Sequence, residues 1–197
     1  MIILLFPLFT STLFAQKPPE TRRYAIEVAG VRVGTMTASR RAQANEQTLY
    51  TLISDVKVNF LLYKLTVYYK VDNLFQGKKL LLSTVDARTN RGNFASRTEW
   101  TGNRYDIVAD QYKHKLRASE PNPINYTVTD LFFSEPTGYD RAFAEYFGDY
   151  FALSRTPKGT YRARRDGRED EYVYDKGKLV KIIKKNPLKN FIIRLEE

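Results

Sequence analysis

The 197-residue chain contains a single histidine, His114, and no cysteine. Any Ser–His–Asp relay must run through that one imidazole. A base of this kind needs a nucleophile within hydrogen-bond reach and a third group to orient it. No Gly-x-Ser-x-Gly elbow supplies the nucleophile. His114 sits between Lys113 and Lys115 and alternates with Tyr112 and Leu116, so it reads as an inward strand residue satisfied by a neighbour. Cysteine-ligated zinc and iron–sulfur sites are excluded, and no metal or cofactor is expected. Carboxylates remain. Asp55, Asp72 and Asp86 fall in adjacent strand-like segments, and Glu135 precedes Pro136. Two carboxyls about 5–10 Å apart suffice for glycoside hydrolysis, but nothing in the context marks a pair. Solvated, salt-bridged strand residues are the expectation, with a carboxylate-dependent hydrolase as an alternative.

The other chemistry-bearing group is cationic. Lys and Arg number 32 against 22 Asp and Glu, a net charge of +10, and residues 155–197 hold +6 of it. Arg162, Arg164, Arg165 and Arg168 crowd one Asp166-Gly167 turn. Asp-Gly suits a two-residue hairpin, because both central positions need positive φ. The resulting register sets Arg164 opposite Glu169, Arg162 opposite Glu171 and Tyr161 opposite Tyr172. Arg165 faces Arg168, a like-charge pair that an acid or a bound anion must relieve. The four arginines are therefore a candidate site for phosphate or carboxylate groups of envelope molecules, set against a plain mixed-charge sheet face.

The elements that position these residues are strands. Period-two alternation marks Tyr24 to Val28, Tyr63 to Val71, Phe94 to Trp100 and Tyr112 to Ala118. Turn signals such as Gln76-Gly77, Asn90-Arg91-Gly92, Thr101-Gly102-Asn103 and Lys176-Gly177 recur about every ten residues, the spacing of a meander. Only residues 120–147 break the rhythm. Three prolines fragment them, and Tyr126–Phe133 and Arg141–Tyr146 are each expected as a short helix. Roughly ten or eleven strands in succession cannot stay flat and open. The expected fold is all-β: a strongly bent antiparallel half-barrel or barrel with the proline-rich segment over or inside it.

Residues 1–15, MIILLFPLFTSTLFA, carry no charge, and the chain turns polar at Gln16. This is the pattern of a signal peptide cut after Ala15, too short for a membrane span of about 20 residues. The expectation is a periplasmic or secreted domain over residues 16–197, with no transmembrane segment. Nucleic acid is a poor partner for such a protein.

Asn59-Phe60-Leu61-Leu62-Tyr63 is the oddest stretch. It separates two long strand patterns without Gly or Pro, and exposed turns are normally polar. Either the turn is buried against residues 121–136, or it forms an apolar rim for an acyl chain or membrane surface, or the chain continues as one bent strand. Phe60, Leu61, Leu62 and Tyr63, together with the inward aromatics Tyr69, Phe94, Trp100 and Phe133, are the candidate ligand-binding set.

Three stretches are similar to a family of small exported proteins of unknown function: Tyr24 to Gly34, the box Leu131-Phe132-Phe133-Ser134-Glu135-Pro136, and Tyr172 to Gly177. The resemblance implies an envelope setting and an all-β fold, and no known activity. At fold level the chain is also similar to periplasmic lipoprotein-carrier half-barrels. The resulting expectation is a non-enzymatic binder of an apolar or amphipathic, lipid-like ligand. The alternative to it is an interaction module with a filled core and an envelope protein partner.

Overall fold

The computed structural model describes residues 18–60, 63–185 and 190–196. The leader-like residues 1–15 and the tip residues Leu61 and Leu62 lie outside that description. Fourteen strands follow one another: β1 Glu20–Val28, β2 Val31–Ala42, β3 Gln47–Phe60, β4 Tyr63–Gln76, β5 Lys79–Thr89, β6 Gly92–Trp100, β7 Tyr105–Gln111, β8 His114–Glu120, β9 Arg141–Ala144, β10 Asp149–Arg155, β11 Tyr161–Arg165, β12 Arg168–Asp175, β13 Lys178–Lys184 and β14 Phe191–Leu195. All pair antiparallel in one sheet, in the order β8-β7-β6-β5-β4-β3-β2-β1-β14-β13-β12-β11-β10-β9. Every neighbour is sequential except β1 and β14, which join the two chain ends through Tyr24↔Leu195 to Val28↔Phe191.

The all-β bent sheet matches expectation, with fourteen strands in place of ten or eleven. One expected helix, Arg141–Tyr146, is strand β9 and its turn. Ala142, Phe143 and Ala144 are all buried, so the strand has no solvated face and leaves no alternating signal. The other, Tyr126–Phe133, contains only a single 3₁₀ turn at Asp130–Phe132. Tyr112 does not belong to the β8 face either. Lys113 takes φ +59°, so the chain turns at 112–113 and leaves Tyr112 exposed.

The chain does reverse between β3 and β4. Fourteen cross-strand pairs run from Gln47↔Gln76 to Phe60↔Tyr63, which removes the single bent strand. Inward side chains follow the pleat. Leu52, Ser54, Val56 and Val58 of β3 are buried while Ile53, Asp55 and Lys57 face water, and β7 alternates Tyr105, Ile107, Ala109 and Gln111 inward. A bulge at Leu74/Phe75 resets the phase between β4 and β5.

Residues 121–140, between β8 and β9, turn inward and plug the sheet. Ile124, Tyr126, Leu131, Phe132 and Phe133 are buried among the strands. A chain inside a barrel must find partners for its backbone groups, and here the wall supplies them. Leu80 N donates to the Ile124 carbonyl at 2.9 Å, Arg22 Nη1 to the Phe132 carbonyl at 2.6 Å, and Tyr174 Oη to the Leu131 carbonyl at 2.7 Å. Val128 N donates to Phe143 and Phe143 N to Tyr126, so the plug also occupies the free edge of β9. The β9–β10 turn closes the seam against β6–β8. Ser96 Oγ donates to the Tyr146 carbonyl at 2.9 Å, and His114 Nε2 lies 2.8 Å from the Phe147 carbonyl. Gly148, at φ +66°, presses so close that a Cβ there would meet Ile107 at 2.6 Å.

Candidate functional site

The carboxylates proposed for hydrolysis do not converge. Asp55, Asp72 and Asp86 all point to the outer face of the sheet. Asp55 is exposed opposite Tyr68 and Thr35. Asp72 receives Thr51 Oγ1 at 2.7 Å and Lys70 Nζ at 2.6 Å. Asp86 pairs with Arg88 at 2.7 Å. Asp55 is a solvated strand acid, and Asp72 and Asp86 are strand acids held by cations. His114 is held by the Phe147 carbonyl and packs edge-on to the Phe147 ring, 5.3 Å between centroids. Its place in the seam gives it a structural partner and no nucleophile.

The arginine hairpin forms in the expected register, including Arg165↔Arg168. Acids neutralise most of it. Arg164 Nε is 2.6 Å from Glu169, and Lys185 Nζ reaches the same carboxylate at 2.5 Å. Lys185 first, then Arg164, pull the Glu169 carboxyl down to about 2. Arg162 Nε stops 3.6 Å from Glu169. Arg165 bridges Asp149 at 3.1 Å and Asp166 at 3.0 Å. Arg168 forms no ion pair among the described residues. Its guanidinium lies 5.0 Å from the centroid of Phe147, and Arg165 lies 4.7 Å from that centroid.

The aromatic candidates are dispersed. Tyr69 stands near Tyr146, with centroids 6.3 Å apart. Burial first, then the Glu145 charge, push its hydroxyl well above the usual range. Phe94 packs on Tyr112 at 5.8 Å. Trp100 packs on Tyr105 at 4.9 Å with Lys79 Nζ 3.3 Å from its ring centroid. Phe133 is buried in the plug between Arg22, Arg40 and Tyr50. Antiparallel register places Phe94 and Trp100 toward opposite ends of the barrel. The side chains of Phe60 and Tyr63, and Leu61 and Leu62 altogether, lie outside the described residues. Two concave sites of about 410 and 360 Å³ occur, one among Thr21, Arg22, Arg23, Lys178, Leu195 and Glu196, the other at residues 164–169. Both are ringed mainly by charged residues.

Two features escaped sequence reasoning. The first is a buried acid cluster joining plug to wall. Glu145, 3% exposed, accepts from Asn73 Nδ2 at 2.7 Å and Thr129 N at 3.0 Å. Asp130 accepts from the backbone and hydroxyl of Thr127 at 2.8 and 2.9 Å. Burial of the Asp130 carboxyl, with Glu145 adding to it, outweighs the Thr127 donors and distant Arg40 and raises it to about 7. The available signal was an acid set within each of two apolar runs, Tyr126–Phe133 and Ala142–Phe147.

The second is the end of the barrel opposite the plug. The last β2–β3 pair is Gly34↔Val56 and the last β4–β5 pair is Val67↔Thr89. The β3–β4 pairing therefore continues four pairs beyond the pairing to either neighbour, about 13 Å at the usual strand rise, while β2 continues alongside to Val31. Asn90, from the β5–β6 turn, braces its outer edge. Asn90 Nδ2 donates to the Lys64 carbonyl at 3.0 Å, and Asn90 N to the Thr66 carbonyl at 3.3 Å. Val33, Leu65, Val67 and Phe191 pack against the core here and stay half-exposed, and Val31 is 61% exposed. Lys57 and Lys64 flank this surface, exposed and without ion pairs among the described residues.

Comparison with solved structures places this architecture among known folds. The chain is similar to a beta-barrel-like protein of a domain of unknown function, DUF1849, from Brucella abortus. The two share 9% sequence identity and a TM-score of 0.54, over 91% of this chain and 96% of that one. At that identity the likeness concerns the fold alone. No curated protein matches the chain. Residues 24–196 match a family described as a domain of unknown function, DUF6134. That span takes in every strand except the start of β1, and the chain belongs to the DUF6134 family.

Proposed function

We propose that this protein is an exported, non-enzymatic binder of an amphipathic, lipid-like molecule, and that the open end of the barrel, not its concave interior, is the binding surface. The interior is occupied by the protein's own residues 121–140. The observation that carries the reading is the apolar surface at the open end. Val31, Val33, Leu65, Val67 and Phe191 keep accessible area there beside Lys57 and Lys64, which form no ion pair among the described residues. Clustered apolar exposure rimmed by charge marks a binding surface more often than an ordinary wall. The hairpin sequence Phe60-Leu61-Leu62-Tyr63 continues the same apolar character. Of the four hairpin arginines, Arg168 is the one left to meet an anionic head group.

Titration with a single-chain phospholipid, followed by methyl NMR, tests this. Shifts should gather on Val31, Val33, Leu65 and Val67, while Trp100 fluorescence at the far end stays unchanged. No shift at the open end, or quenching of Trp100 instead, would remove the proposal.

A second reading has one observation in its favour. The outer edge of β8 carries no strand among the described residues, whereas the plug covers β9. An interaction module would use that edge to add a partner's strand, and in-cell crosslinking from β8 would then yield one dominant protein adduct.

A further inference from the structure

Antiparallel connection sorts the turns into two sets. The turns at residues 29–30, 90–91, 112–113, 145–148 and 166–167 share the end from which the β3–β4 hairpin projects. Those at 43–46, 77–78, 101–104, 156–160 and 176–177 share the plug end. Both ends carry excess cations, so charge alone does not distinguish them. Among the described residues apolar exposure separates them at one side chain: Val31 is 61% exposed, whereas Tyr112 at this end and Tyr139 at the plug end are each 38% exposed. At the hairpin end stand Val31 and Tyr112, the half-exposed Val33, Leu65, Val67 and Phe191, and the projecting strands themselves. Around them lie Lys57, Lys64, Arg91, Lys113 and Arg168, none of which has a carboxylate partner among the described residues. Arg91 and Lys113 sit over the Tyr112 ring at 5.3 and 5.4 Å, and Arg91 Nη1 donates to the Tyr112 hydroxyl at 3.3 Å.

We infer that this end docks on a bilayer surface containing anionic lipid, an inference that rests on the amphiphile-binding reading above and names its physical form. Three observations favour a surface over a single captured molecule. The apolar residues are spread over β2, β4 and β14 and do not close into a pocket; the concave site at residues 164–169, which shares this end, is lined mainly by charged side chains, and that around Thr21, Arg22 and Glu196 lies at the other end. The β3–β4 hairpin carries its pairing four pairs past the last pairs with β2 and β5, about 13 Å of strand, with β2 continuing alongside to Val31, and interfacial elements bury their apolar face about 5–10 Å into the headgroup and acyl boundary. It is also preorganised, because Asn90 satisfies backbone groups on the outer edge of β4 that would otherwise need water. Unpaired cations around an apolar centre complement a layer whose headgroups are negative and whose interior is apolar. Tyr112, with an apolar ring and a polar hydroxyl, suits the boundary between the two.

Vesicle flotation tests the inference with the chain from Gln16 onward, which contains every described residue and omits the apolar leader-like stretch. The protein should float with phosphatidylcholine vesicles doped with phosphatidylglycerol, stay behind with phosphatidylcholine alone, and be released by salt. Each basic residue near an anionic surface is worth about fivefold in affinity, so Lys57→Ala with Lys64→Ala should weaken binding roughly 25-fold. Val31→Glu places a charge at a position already open to water and should abolish flotation with circular dichroism unchanged. Lys158→Ala, at the plug end, should change little. Equal flotation with neutral vesicles, or a loss from Lys158→Ala as large as that from the lysine pair, would overturn the inference. Binding of the single-chain phospholipid without flotation would overturn docking while leaving amphiphile binding in place; absence of both would overturn the two together.

Discussion

At the plug end, residues 121–140 fold back inside the sheet, and side chains and strand backbones of β1, β4, β5, β7, β9 and β12 bond to them there. At the hairpin end, the β3–β4 pairing continues past the pairing to either neighbour, and Val31, Val33, Leu65 and Val67 stay in partial contact with water. The plug has its polar groups satisfied by the wall: Arg22 binds the Phe132 carbonyl, Tyr174 the Leu131 carbonyl, and Glu145 the Thr129 amide. At the hairpin end Asn90 binds the Lys64 carbonyl, Ser96 the Tyr146 carbonyl, and His114 Nε2 lies 2.8 Å from the Phe147 carbonyl. The plug is tied to the wall through the Arg22, Tyr174 and Glu145 contacts, and the most exposed large apolar side chain among the described residues, Val31, stands at the other end. The difference separates residues that hold the fold from residues free to meet a partner.

Substitutions can break this contrast, and the largest loss should fall on the plug. Phe132 is buried with its ring edge-on to Tyr24 at 5.5 Å between centroids. Phe132→Ala should cost about 3–5 kcal/mol in urea unfolding, the usual range for a buried aromatic. A loss near 1 kcal/mol would mean the plug is not part of the cooperative core.

Asp130 sharpens the comparison through pH. Its folded-state value, about 7, stands above the ordinary 3.8. The folded protein thus binds a proton more tightly than the unfolded chain. The associated stability is complete below about pH 4 and is lost as pH rises through about 7. At 1.36 kcal/mol per unit the ceiling is about 4 kcal/mol. Asp130→Asn keeps an acceptor for Thr127 and removes the ionisation, so it should flatten stability between pH 5 and 8 and raise it most at pH 8. An unchanged pH slope would show that another group carries the dependence.

Gly148 tests the seam that the β9–β10 turn closes against β6–β8. Gly148→Ala meets both a positive φ and a Cβ contact with Ile107 at 2.6 Å, and should cost about 1–3 kcal/mol, measured as a shift in urea midpoint. The smallest effect belongs to the hairpin end. Val31→Glu should change stability by no more than about 0.5 kcal/mol; a larger loss would place Val31 in the folding core.

The strand alternation, the Asp166-Gly167 hairpin with its Arg165↔Arg168 pair, and the bent antiparallel class were all legible in the residues, because a pleat repeats every two positions and a tight turn demands particular φ values. β9 was not legible. Its residues are buried on both faces, so they lack the half-wet pattern by which strands declare themselves. The separation of Phe94 from Trp100, and of both from Phe133, was equally hidden, since alternation tells which face a side chain takes and not which end of a barrel it reaches.

What the sequence determined by itself was local: strand period, turn chemistry, net basic charge, and the absence of cysteine and of a second histidine. Only the tertiary structure decided that residues 121–140 go inside, that Asp130 and Glu145 share a buried cluster, and that the β3–β4 pairing outruns the pairing to its neighbours. Those outcomes depend on how far each strand pairs and which surface closes over which, and such long-range contacts have no signature in the spacing of nearby residues.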